Sequence, residues 1–306
     1  MDFKQQLESY PKQFEWEPKI ENKKRLPKKW DDILICGMGG SALGGLLLQK
    51  ISPDKKIGVQ RDYVLPNSIS KNTFVIIVSY SGNTEEALSA YREATDKNLS
   101  VGAVASGGML EKIAQKNITP FIKIPAGVQP RIALGYLTKA LVEFVGAPKP
   151  KDIKIDTPTI EQEAQGLAKK IGQDTPLFYA SDKNNVLAYI AKIQINENAK
   201  RHAFYNVFPE LNHNELEGYE ESKKFFVVIL RDIDDDERIK KRIELTAKLI
   251  KQKGYGIDFI DIKERGCYNK IIYSTLFTNW LSYHLAINAG VDPEPVDLIE
   301  QFKKEL

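Results

Sequence analysis

Apolar residues gather in short unbroken runs along the first half of this chain, and the segments between them carry apolar positions at helical spacing. DDILICGMGG reads as a strand entering a glycine-rich turn, and SALGGLLLQKIS follows as a helix. KKIGVQRDY predicts a second strand and TFVIIVSY a third, apolar on both faces. TEEALSAYREATDKN has helical spacing. SVGAVAS, a short helix MLEKIAQKN and TPFIKIPA come next, before PRIALGYLTKALVEFVG, a long apolar-faced helix. Continuous apolar strands alternating with helices imply a parallel sheet covered on both sides.

The pattern breaks at GAPKPKDIKIDTP (146–158), which is rich in proline and lysine and poor in large apolar groups, as a linker would be. It then restarts. PLFYASD predicts a strand, VLAYIAKIQINENAK a helix and FFVVIL a strand. DDERIKKRIELTAKLIKQKG predicts a helix, GIDFIDI a strand and NKIIYSTLFTNWLSYHLAINAG a long helix. TFVIIVSYSGNTEEALSAYREA and FFVVILRDIDDDERIKKRIELTAK share the order strand, loop, helix. The expected architecture is α/β, with two doubly wound subdomains, 1–150 and 151–306, related by a diffuse internal duplication.

The two matching loops differ in chemistry. The first carries Ser79, Ser81, Gly82, Asn83 and Thr84; the second carries Asp232, Asp234, Asp235 and Asp236. Ligands of doubly wound sheets lie at the carboxyl ends of the strands. Backbone N–H groups at a helix start attract anions, and hydroxyls add donors without adding charge repulsion. The first loop therefore suits a phosphate and the second would repel one. The plainer alternative is that Ser81, Asn83 and Thr84 only cap the following helix, with Glu86 completing a capping box.

GMGGSALGG allows two further readings. Gly37, Gly39 and Ala42 fit G-x-G-x-x-A, and Asp62 follows the next strand, as in a dinucleotide fingerprint. The extra Gly40–Ser41 pair and the second hydroxyl-rich turn favour instead a backbone approach to a sugar at Gly39 and Gly40, with Ser41 adding a polar contact. No cofactor is expected.

Composition narrows the classes. The chain has 306 residues, 42% of them hydrophobic, and a net charge of +3, too small to argue for nucleic acid. No apolar stretch approaches the roughly 20 residues that span a bilayer. MDFKQQLESYPKQFEWEP lacks the features of a signal peptide. Cys36 and Cys267 are the two cysteines, expected as thiols in a cytoplasmic protein. A metal site at Glu210, His213, Glu215 and Glu217 has poor ligand spacing, with a single local histidine. His284, on an apolar helix, is expected to be a satisfied core residue.

In this order and spacing, GMGGSALGG, SYSGNTEE, QPRIALGY, INENAK and LNHNE resemble the bifunctional phosphoglucose/phosphomannose isomerases of the sugar-isomerase (SIS) fold, from about Asp31 onward. The resemblance implies two SIS-type subdomains and an aldose–ketose isomerase that interconverts fructose 6-phosphate with glucose 6-phosphate and mannose 6-phosphate. It implies a phosphate cradle at Ser41, Ser79, Ser81 and Thr84. Glu197 would be the base, and Arg131 would face the enediolate oxygens. His213 would assist ring opening from the neighbouring subunit of a homodimer. Lys303, preferred over Lys304 by its spacing after Ile299 and Phe302, would assist at the same end. The alternatives are a non-catalytic sugar-phosphate-binding module and another sugar-phosphate isomerase on the same fold.

Overall fold

The computed structural model describes residues 2–220 and 224–305. Two compact units divide the chain, one comprising Glu8–Ile153 and the other Asp2–Leu7 with everything from Lys154 onward. The short helix α1 (Phe3–Glu8) opens the chain; no pattern in the sequence marks it, and most of it groups with the second unit.

The first unit runs β1 (Asp32–Cys36), α2 (Gly39–Ile51), β2 (Ile57–Gln60), β3 (Thr73–Val78), α3 (Glu85–Asp96), β4 (Ser100–Ala105), α4 (Gly108–Lys116), β5 (Phe121–Lys123) and α5 (Leu134–Val145). Its five strands lie in the order β2-β1-β3-β4-β5, all parallel. Every residue of β3 is buried, as its unbroken apolar run requires of a central strand with both faces covered. The chain leaves β1 toward β2 on one side and returns to β3 on the other. The carboxyl ends of β1 and β3 therefore form the switch point at which such sheets place ligands.

The second unit runs α6 (Thr157–Ile171), β6 (Thr175–Ser181), α7 (Asn185–Asn198), β7 (Phe204–Phe208), β8 (Phe225–Asp232), α8 (Glu237–Gln252), β9 (Gly256–Ile262), α9 (Cys267–Asn288) and α10 (Asp297–Glu305). Four parallel strands lie in the order β7-β6-β8-β9. This repeats the order of β2-β1-β3-β4, so the duplication read from element order extends to topology. A counterpart of α4 and β5 is missing, because the chain passes from β9 straight into α9. Helix α6, strand β7 and helix α10 carry no clear signal in the hydrophobic pattern. α6 starts inside the expected linker, where Asp156 caps it by accepting from the Thr159 N–H.

α9 is buried along almost its whole length. Among the described residues, no helix is long and apolar enough to cross a membrane. Cys36 and Cys267 are both thiols. Cys36 lies in the core beside Leu34 and Val75, where burial pushes its pKa up to about 12.

Candidate active site

The switch point of the first unit is built from three backbone turns that touch. After β3, the chain turns through Ser79–Thr84. Gly82 makes this possible: its φ is +71°, and a Cβ there would lie 1.8 Å from the Gly107 carbonyl oxygen. The Asn83 side chain accepts from the Met109 N–H at 2.9 Å, so it serves the start of α4, not of α3. Ser79 and Thr84 join their hydroxyls at 2.8 Å, and Ser79 Oγ also accepts from the Thr84 N–H at 3.4 Å. Thr84, the N-cap of α3, makes no side-chain capping bond. The capping-only reading therefore fails for this loop, whose Ser79 and Thr84 hydroxyls are directed at one another at the mouth of α3. Ser81 is exposed and accepts from the Asn83 N–H at 3.2 Å.

The glycine turn after β1 packs against this loop. Ser41 is 6% exposed, and its Oγ accepts from the Tyr80 N–H at 3.1 Å. Gly40 abuts the third turn, since a Cβ there would meet the Pro130 carbonyl oxygen at 2.7 Å. Tyr80 fixes that third turn. Its hydroxyl donates to the Pro125 carbonyl (3.2 Å) and accepts from the Val128 N–H (3.3 Å). Arg131 follows in the turn before α5, not inside the helix as its motif suggests. It is 3% exposed, and its Nη1 donates to Gln129 Oε1 at 3.2 Å. The fold thus brings Gly39, Gly40, Ser41, Ser79, Ser81, Thr84 and Arg131 to one end of one sheet. Tyr80, which links the turns, carries no sequence signal beyond its place between two serines.

Glu197 lies in the last turn of α7 and is half-buried. Its two asparagine neighbours hold this turn still. Asn198 is fully buried and donates to Ser282 Oγ on α9 at 2.8 Å. Asn196 donates to the Arg201 carbonyl at 2.7 Å, across the reversal that ends the helix. Arg201 Nη1 donates to the Gly172 carbonyl at 2.8 Å, and its Nη2 donates to the Asp174 carbonyl.

His213 ends a short 3-10 turn, Glu210–His213, and is exposed. The residues around it are tied down. Leu211 is buried in the core of the unit. Asn212 donates to Thr246 Oγ1 at 2.8 Å and Asn214 to Glu210 Oε1 at 3.0 Å. Glu215 accepts from the Tyr179 hydroxyl at 3.0 Å and from Asn206. Among the described residues, no group of three or more His, Cys, Asp and Glu is arranged to hold a metal ion. Lys303 and Lys304 lie on α10, none of whose residues is buried. His202 is exposed. His284 is buried against Trp280, and burial holds its pKa below the usual value. Its Nε2 has no hydrogen-bond partner but lies 3.8 Å from Glu161 Oε1, so the satisfied core histidine expected from the sequence is not found at that nitrogen.

The second unit's switch point, between β6 and β8, is filled by its own side chains. Asp232, at the end of β8, is buried and accepts from Lys270, from Asn184 at 3.2 Å and from the Asp234 N–H at 2.9 Å. Asp235 accepts from the Ser181 hydroxyl at 2.6 Å. Lys270 reaches in from α9 and also donates to Asp234 at 2.5 Å. The acidic loop is therefore an ion-paired and internally hydrogen-bonded plug, which charge repulsion alone does not suggest. Asp236 caps α8 by accepting from the Arg238 N–H at 2.9 Å.

Two parallel α/β units, one with hydroxyls at its switch point, fit the SIS class that the sequence resembles. Residues 160–306 match the family model described as the bacterial phospho-glucose isomerase C-terminal SIS domain. Among solved structures, the C-terminal domain of glucosamine-fructose-6-phosphate aminotransferase from Francisella tularensis shares the fold, with a TM-score of 0.73, 14% identity and 96% of each chain covered. A curated bifunctional phosphoglucose/phosphomannose isomerase of Thermoplasma volcanium is 38% identical over 91% of this chain and 92% of its own. The protein of that name from Aquifex aeolicus is 32% identical over 98% and 97%. This chain belongs to the bifunctional phosphoglucose/phosphomannose isomerase family.

Proposed function

We propose that this chain is an aldose–ketose isomerase that interconverts fructose 6-phosphate with glucose 6-phosphate and mannose 6-phosphate through a cis-enediolate. The observation that carries the reading is the contrast between its two switch points. One holds neutral hydroxyls at a helix start, with Ser79 buried and bonded to Thr84 and Ser81 exposed; the other is closed by its own aspartates and lysine. Among the described residues, this contrast favours the first switch point as the seat for a phosphate monoester.

Ser79, Ser81 and Thr84, with the N–H groups that open α3, hold the phosphate. Ser41 backs this loop, and Gly39 and Gly40 let the sugar come close to the backbone. Glu197 removes a proton from C1 of the open-chain ketose and returns it to C2. Across the cycle a second proton passes from O1 to O2, so no atom is gained or lost. Return to one face of C2 gives glucose 6-phosphate, and return to the other gives mannose 6-phosphate. The Arg131 guanidinium stabilises the negative charge that grows on the enediolate oxygens, the kind of interaction that accelerates chemistry rather than tightening ground-state binding. His213, from the second subunit of a homodimer, assists ring opening, and Lys303 assists at the same end. The two thiols fit a reducing, cytoplasmic setting.

The deciding assay incubates purified, chelator-treated protein with fructose 6-phosphate and identifies both aldose products. Turnover of an amino-sugar phosphate in preference to fructose 6-phosphate would overturn the assignment.

Ser79→Ala removes a hydroxyl that meets the dianion, so KM and the inhibition constant of inorganic phosphate should both rise about tenfold or more. Parallel increases locate the loss in phosphate binding; an unchanged phosphate constant counts against the cradle. The shared-site arrangement predicts complementation. Glu197→Gln and His213→Ala homodimers should each be nearly inactive. Mixing and reassembly should restore about a quarter of wild-type activity, because half the dimers are mixed and each holds one intact site. Absence of recovery would place His213 in its own subunit's site or in none.

A further inference from the structure

We propose that Lys200 is a positioning residue whose ammonium group ties the end of α7 that carries Glu197 to the segment that launches α10 and Lys303. The proposal rests on the roles given above to Glu197 and Lys303. Lys200 follows the C-cap of α7, Ala199, and adopts the left-handed conformation with φ of 54°. Glycine is the usual residue at that position, because a Cβ there is strained. A lysine in this conformation calls for a compensating role, and its side chain supplies one.

Lys200 Nζ donates to three carbonyl oxygens: that of Glu197 at 2.5 Å, that of Pro293 at 3.3 Å and that of Pro295 at 2.5 Å. The Glu197 carbonyl is among the last four of α7, which the helix itself leaves without a donor. The two prolines have no N–H with which to anchor their own segment. Two residues beyond Pro295, α10 begins. That helix buries none of its residues, and Leu298, Ile299 and Phe302 are exposed. Its side chains therefore do not fix it against this chain. The place of Lys303 relative to Glu197 depends on where Pro293–Pro295 are held, and Lys200 holds them directly against the turn that carries the base.

Lys200→Gly separates this role from helix capping. Glycine relaxes the backbone, so the thermal midpoint should stay unchanged or rise. If Lys200 is the clasp, kcat should nevertheless fall about tenfold, as a small misplacement of a catalytic group allows, and amide exchange across 297–305 should quicken. Lys200→Arg, which keeps charge and reach, should recover most of kcat. In a Lys303→Ala background, Lys200→Gly should cost nothing further. Wild-type kcat and α10 exchange in Lys200→Gly, or a fully additive loss in the double variant, would overturn the proposal. Should Lys303→Ala itself keep full activity, the role of Lys303 fails, and exchange in α10 still decides whether the clasp exists.

Discussion

Glu197→Gln is expected to lower kcat by about a thousandfold, the usual scale for loss of a general base, with KM for fructose 6-phosphate changed by no more than about twofold. The amide matches the carboxylate in size and leaves α7 undisturbed, because that turn is held by other groups. Asn198 is anchored on Ser282, Asn196 on the Arg201 carbonyl, and the Glu197 carbonyl on Lys200. What the amide cannot do is accept a proton from carbon. The sharpest measurement is therefore solvent exchange, not turnover. In D2O the wild type should incorporate deuterium at C2 of the aldose product, and Glu197→Gln should not, while phosphate still inhibits with its wild-type constant. Undiminished exchange would remove Glu197 from the proton path.

The hydrophobic pattern reveals those parts of the fold whose signals are local. TFVIIV is buried at every position because it runs through the middle of a sheet, and a short unbroken apolar run bounded by turn residues is the mark of such a strand. Gly82 and its neighbours mark a turn, and the structure shows why glycine must stand there. Elements with diluted signals escape the pattern. α6 buries only Ile160, Ala164, Leu167, Ala168 and Ile171, a stripe interrupted by glutamate, glutamine and glycine and preceded by a proline-rich approach. β7 is an edge strand whose Phe204 and Tyr205 are exposed, so it shows no clean alternation. α10 buries nothing in its own chain, and its apolar positions in the sequence do no more than distinguish two lysines.

The candidate site divides in the same way. Ser79, Ser81 and Thr84 are visible as a cluster because they are neighbours in sequence. Linkage between turns is not. Ser41 meets Tyr80 across 39 positions and Tyr80 meets Pro125 across 45, and no periodicity reports pairings of that range. The family resemblance supplies Arg131, whose own sequence surroundings offer only a cation near a helix start. The same blindness to long-range pairing hides the plug in the second unit. RDIDDDE looks like an exposed acidic loop, while the lysine that pairs with its buried Asp232 stands 38 positions away in the next long helix.

That plug carries the second large prediction. Lys270→Met should destabilise the protein by about 3–5 kcal/mol at neutral pH, the scale for stripping one partner from a buried ion pair. The Asp232 side chain is 0% exposed and that of Lys270 only 6%, so neither charge can turn to water. Burial alone would raise the Asp232 pKa, but the bonds from Lys270, the Asp234 N–H and Asn184 outweigh it and hold the carboxyl below the usual range. Its stabilisation is then fully present above the unfolded value of about 3.9 and lost as pH falls through the lower folded value. Lys270 is the mirror case. Its pKa is raised against the burial effect by Asp232 and Asp234, so its share persists below the unfolded value of about 10.4 and fades only as pH rises through the folded one. The wild-type pair therefore contributes evenly between those limits. In Lys270→Met the carboxylate loses its main partner, its pKa rises, and the deficit should shrink as the pH is lowered and the carboxyl takes up a proton. Lys183, 3.6 Å from Asp232, offsets part of the charge and favours the lower end of the range. Adding Asp232→Asn should recover part of the loss, because a neutral amide needs no counter-ion there. Urea unfolding of both variants at neutral and mildly acid pH tests each step. A deficit independent of pH, or an Asp232→Asn addition that deepens it, would show that Lys270 stabilises the second unit by packing and not by pairing with Asp232.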